Sequence, residues 1–152
     1  LGYDGNNDSP WYQIQQSLIA IGSGGVFGRG FGQSVQKFSY LPEPIGDSIF
    51  AVAAEEFGFV GAALLVLLFL AFCLRGLRVA SRAPDGFARL LVVGIVILIG
   101  ASAYINIASM LGLIPLSGLT LPLVSHGGSA LVITLAGAGI ILNISRLEKQ
   151  TV

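Results

Sequence analysis

Four carboxylates crowd the approach to a long apolar run in YLPEPIGDSIFAVAAEEFGFVGAALLVLLFLAF, residues 40–72: Glu43, Asp47, Glu55 and Glu56. A carboxylate is costly in hydrocarbon, so acids at the lip of a membrane-length helix invite a functional reading. Such a group can take a proton from a weak nucleophile or hold a cation. Three of them also have a structural alternative. Asp47 follows Gly46 and precedes a helical stretch, where it would cap the first amides for about 1 kcal/mol. Glu55 and Glu56 would pair with another helix or hydrate at the interface. Neighbouring helix positions point about 100° apart, so only one of the two can share the face of Asp47, and Glu55 is the nearer.

The elements that must position these acids are apolar. The chain is 54% hydrophobic and only 11% charged, against about 25% charged for soluble domains, which argues for lipid. A net charge of zero gives no electrostatic footprint for nucleic acid. Cys73, the single cysteine, has no intrachain disulfide partner and reads as a small packing residue. The chain opens on Leu1 rather than Met and reads as a piece of a longer protein.

Charge-free segments predict an all-α membrane protein with about three transmembrane helices, over 48–74, 87–112 and 128–145. Six of the eight basic residues (Arg75, Arg78, Arg82, Arg89, Arg146 and Lys149) fall in two regions separated by an even number of crossings. The positive-inside rule makes both regions cytoplasmic. Residues 1–47 then form an extracytoplasmic region, followed by a membrane portion over 48–152. The outer side holds six of the eight acids, opposed by Arg29 and Lys37.

Within the outer region, WYQIQQSLIAI places Ile14, Leu18 and Ile21 at the spacing of a short amphipathic helix lying on the outer surface. The following GSGGVFGRGFG reads as a tightly turning loop, or as one shaped around a phosphate or sugar. It does not fit a dinucleotide fingerprint, since no strand precedes it. Between the last two spans, LIPLSGLTLPLVSHGGSA carries prolines and glycines but no formal charge. Irregular backbone of this kind survives at membrane depth only if buried in protein or lining a wet cavity, which predicts a re-entrant outer loop. Asn106, inside the second span, needs a hydrogen-bond partner, and a structural one is expected. Ser125 and Ser129 lack a recognisable base and read as packing residues.

Two stretches carry a family resemblance. Asn106 with GLIPLSGLTLPLVSHGGSA (residues 112–130) resembles the signature of the SEDS proteins, the group containing FtsW, RodA and SpoVE. The segment QIQQSLIAIGSGGVFGRGFGQSVQKFSYLPEPIGDSIFAVAAEE resembles their large external loop. His126 departs from the pattern, where a Tyr or a small residue is usual. The resemblance implies a peptidoglycan glycosyltransferase that polymerises lipid II, the undecaprenyl-pyrophosphate-linked disaccharide peptide, at the outer face of the bacterial plasma membrane. It implies a class B penicillin-binding protein as partner and roles in division or elongation, with a slight lean towards FtsW.

By the same resemblance Asp47 matches the essential external-loop aspartate, with Glu43 and Lys37 as supporting residues. As general base, Asp47 would activate the acceptor sugar hydroxyl. Pyrophosphate leaves well and needs its charge neutralised, which suits Arg29, Lys37 or a divalent cation such as Mg or Mn. Glu55 and Glu56 would line the cavity or bind that cation. The other readings are a flippase for the same lipid precursor and a non-catalytic scaffold for the penicillin-binding protein. Acids outside rather than at midplane favour chemistry over transport.

Overall fold

A computed structural model of the chain describes residues 10–30, 48–115, 117–125 and 127–148. These residues form α1 (Pro10–Ser23), α2 (Ile49–Ser81), α3 (Gly86–Met110) and α4 (Gly128–Glu148), and none of them is in a strand. The expected all-α architecture is therefore what forms. The helices α2 and α3, and Gly128–Arg146 of α4, are long and apolar enough to cross a membrane. Helix is the natural state for such segments, because hydrocarbon offers no partner to a backbone amide or carbonyl.

α2 runs past the charge-free stretch and ends only at Ser81. Arginine is a good helix former, so Arg75 and Arg78 continue the ladder. Pro84 then interrupts it, and Asp85 takes an extended conformation as the N-cap of α3, its carbonyl accepting from the Arg89 amide at 3.0 Å. The chain turns back as an antiparallel hairpin packed through glycines. Gly76 faces Val96, and the Cys73 sulfur lies where a Cβ on Gly100 would meet it at 2.9 Å. Cys73 is thus a packing residue. Gly137 of α4 receives Ile95 of α3 in the same way. Small residues at these points let the helices approach closely, which is how apolar helices associate without a hydrophobic driving force.

Two cores result, one at each end. Ala80, Val92, Val96, Ile141 and Ile144 form the first, near the arginine-rich end. Phe50, Ala103, Met110 and Leu121 form the second, beside the acids. Outside them the helices carry apolar side chains outward, with Leu68 62% and Val132 67% exposed, a surface suited to lipid or to further helices.

α1 packs across the second core, with Ile21 of its expected apolar face against that core and Ile14 beside Gly112 just past the end of α3. Ser17 and Ala20 are fully buried, while Leu18 and Ile19 are 44% and 52% exposed. The buried positions are small, Ser17 and Ala20 and then Gly24 just after the helix, and they allow the backbone of α1 to approach α2. A Cβ on Gly24 would collide with the Ala54 carbonyl. The Ser17 hydroxyl donates to the Met110 sulfur at 3.4 Å, fastening α1 to α3 as well.

Candidate active site

The acid end is built around a break in α2. Gly58 has φ 68° and ψ −166°, a conformation open to glycine and strained for any residue with a Cβ. In an unbroken helix the Phe59 and Val60 amides would donate to the Glu55 and Glu56 carbonyls. Instead those amides donate to the Gly25 and Val26 carbonyls at 2.9 and 3.2 Å. The Glu55 and Glu56 carbonyls accept from the Arg29 and Gly30 amides at 3.0 and 3.1 Å. All four groups freed by the break are thereby satisfied by the glycine-rich loop after α1. Left unpaired in an apolar setting, each would cost several kcal/mol. Gly28, with φ +80°, lies so close that a Cβ would strike the Glu56 carbonyl, and one on Gly58 would strike the Gly28 amide. The loop that suggested a phosphate cradle serves here as a splice in a helix.

The splice fixes Glu55 and Glu56 in different surroundings. Glu55 is fully buried and points towards α1, its Oε1 lying 3.4 Å from the Ser23 hydroxyl. That hydroxyl is closer to the Ala20 carbonyl, at 2.9 Å, and its single proton belongs mainly to that shorter bond. Glu56 faces the other way, into an apolar groove of about 440 Å³ lined by Val52, Phe57, Leu65 and Val124 among others. It is 6% exposed, and its Oε1 is buried without a hydrogen-bond partner among the described residues. The divergence expected of adjacent helical positions is realised. The two carboxylates do not converge on one ion, and among the described residues no three His, Cys, Asp or Glu side chains gather as metal ligands do.

Arg29 is exposed. Its amide is held by Glu55, and its Nε donates to the Ser23 carbonyl at 3.3 Å, so a cation is anchored at the splice. Glu43, Asp47 and Lys37 lie outside the described residues, as does His126. The described residues resume at Ser48, directly after Asp47. Ser48 is fully buried and is itself the N-cap of α2, with its carbonyl accepting from Val52 at 3.2 Å. Gln13 of α1 donates to its hydroxyl at 3.3 Å. Ser48 holds the N-cap position without a side-chain cap hydrogen bond, and the capping role considered for Asp47 lies outside the described residues.

The loop after α3 closes over this end. Buried Asn106 donates from Nδ2 to the Leu119 carbonyl at 2.6 Å. The Leu121 amide donates to the Ser125 hydroxyl at 2.8 Å, and the Ser125 amide returns to the Leu121 carbonyl at 2.9 Å. These bonds seat Leu121 in the core and hold Leu123 at a φ of 64°, unusual for a residue with a Cβ. Asn106 thus has the structural partner expected of it, and Ser125, expected only to pack, is a hydrogen-bond acceptor. Sequence reasoning missed Gln13, Ser23, Gly28 and Gly58; the small residues Ser17 and Ala20 at helical spacing signal the close approach of α1, and no signal marks the splice.

Fold and site together describe a polytopic helical membrane protein with two buried glutamates at one end and an arginine-rich turn at the other. A family model described as "Cell cycle protein", that of FtsW, RodA and SpoVE, matches residues 4–150, and the chain belongs to this family. It is 48% identical over 148 residues to stage V sporulation protein E of Bacillus subtilis, covering 93% of this chain and 40% of that protein. It is 44% identical over 150 residues to a probable peptidoglycan glycosyltransferase FtsW of Geobacter metallireducens, covering 94% and 40%. Among solved structures, a peptidoglycan synthase complex described as coordinating polymerization and crosslinking matches with a TM-score of 0.72 and 32% identity, over 90% of this chain and 38% of that one. A crystal structure of the rod shape determining protein RodA of Thermus thermophilus matches with a TM-score of 0.65 and 37% identity, over 86% and 39%. The chain thus spans about 40% of the length of the curated relatives it matches.

Proposed function

We propose that this chain forms the acceptor-activating part of a peptidoglycan glycosyltransferase, which polymerises lipid II at the outer face of the bacterial plasma membrane during division or shape maintenance. Asp47 is the general base. It takes the proton of the acceptor sugar hydroxyl as the new C–O bond forms at the anomeric carbon, and the bond to the lipid pyrophosphate breaks with its electron pair leaving on phosphate oxygen. Arg29 and Lys37 neutralise that leaving group, with Glu43 in support. The described acids do not fit a shared divalent-cation site, and no step is assigned to one. A class B penicillin-binding protein is the proposed crosslinking partner.

The observation that carries this reading is the groove beside Glu56. A buried carboxylate meets an apolar wall there, at the end of α2 that begins next to Asp47, as a substrate with a polar head and a hydrocarbon tail requires. A base acting on the hydroxyl accounts for about 10²–10⁴ of the rate. The re-entrant course of the loop over 113–127 belongs to the same proposal: it walls the cavity from the side of Val124.

The test is reconstitution of the full-length protein with purified lipid II. Polymeric glycan is the expected product. Movement of lipid II across the bilayer without polymer would overturn the reading in favour of a flippase.

A further inference from the structure

The opposite end of the bundle holds a second concave site, independent of the acids. A groove of about 610 Å³ lies between the last turns of α2 and α4. Arg75, Arg78 and Arg82 rim it, and Phe72, Ile141 and Leu142 are among its apolar walls. At about 100° per residue the three arginines fall within about 60° of one another around α2. All three are exposed, and no acid is among the groove's lining residues.

Basic residues at the ends of membrane helices are expected from topology alone. Topology does not require them to share one face, nor to border a hydrocarbon-lined hollow. We propose that this groove binds an anionic phospholipid of the leaflet at the arginine-rich end, the cytoplasmic one by the positive-inside rule. The phosphodiester sits among the guanidinium groups, and an acyl chain lies along Phe72, Val79 and Leu142. Guanidinium matches phosphate oxygens with paired hydrogen bonds, and the arginine stems can follow the apolar wall while their heads reach the interface. The carbonyl ends of α2 and α4 oppose an anion here by about half a charge each. The guanidinium groups at the rim outweigh them, with Asp85 of the same turn outside the groove's lining. Basic hollows between membrane helices on this side are a recurrent headgroup site.

The full-length protein, stripped of lipid and then offered phosphatidylglycerol or phosphatidylcholine in nanodiscs, tests this by native mass spectrometry of the lipid it retains. Wild type is expected to prefer phosphatidylglycerol by about a hundredfold, the product of three surface charges. Combined Arg75→Gln, Arg78→Gln and Arg82→Gln should abolish the preference. Ala138→Phe, which fills the groove and leaves the arginines in place, should cut retention about tenfold or more. That variant decides the matter should the triple variant fail to insert. Equal retention of the two lipids by wild type, or a preference that survives Ala138→Phe, would overturn the proposal. Release of the bound lipid by millimolar inorganic phosphate would reassign the groove to a free anion and overturn it too.

Discussion

The two ends of the bundle are built on opposite plans. At the arginine-rich end, helices meet through aliphatic side chains, and the polar groups are long cations at the rim. At the acid end, helices and loops meet through backbone. α1 and its glycine loop lie against α2 closely enough to exchange four amide–carbonyl bonds with it, and two glutamates are carried inside. An aliphatic core tolerates adjustment, whereas a backbone splice has one geometry. The acid end is the one built to hold polar groups in fixed positions, as a reaction site needs.

Substituting the splice should produce the largest change in stability. Gly58→Ala forces a Cβ into the left-handed region and against the Gly28 amide, and is expected to cost about 2–5 kcal/mol, read as a lowered unfolding midpoint in detergent. Gly86→Ala, which meets nothing within 4 Å, should leave the midpoint unchanged or slightly raised. Similar losses from both would erase the contrast between the two ends.

A smaller effect is expected at the loop anchor. Asn106→Ala leaves the Leu119 carbonyl without its 2.6 Å donor and should cost about 1–3 kcal/mol. Faster amide exchange over 117–125 than in the arginine-rich turn would register it.

Glu56 separates stability from function. Its Oε1 has no hydrogen-bond partner among the described residues, so replacement by an apolar residue of similar size should relieve a desolvation cost. Glu56→Leu is expected to unfold no earlier than wild type, yet to polymerise glycan at least tenfold more slowly. A large drop in thermal stability would show instead that the carboxylate is a structural pillar.

Much of this was legible in the sequence. The three spans follow from charge-free runs bounded by arginines, and the acids from their cost in hydrocarbon. Asn106 reads correctly as structural because an isolated polar group among apolar neighbours needs a partner, whereas Ser125, read as a packing residue, accepts a hydrogen bond from Leu121. The splice was not legible. EEFGFVG continues an apolar helical run, and only the approach of Gly28 from a distant loop makes the conformation of Gly58 affordable. The orientation of α1 is legible only in part. Apolar spacing selects Ile14, Leu18 and Ile21, of which Ile21 packs on the core, whereas the positions buried most deeply are the small Ser17, Ala20 and Gly24. Hydrophobic periodicity loses its direction where the surroundings are themselves apolar.

The central claim is that chemistry belongs to the acid end and begins at Asp47. The most direct measurement is the rate of glycan polymerisation by full-length Asp47→Asn, with lipid II binding followed on the same preparation. The account predicts binding close to wild type and a rate lower by about 10²–10⁴-fold. Polymerisation at the wild-type rate would contradict it.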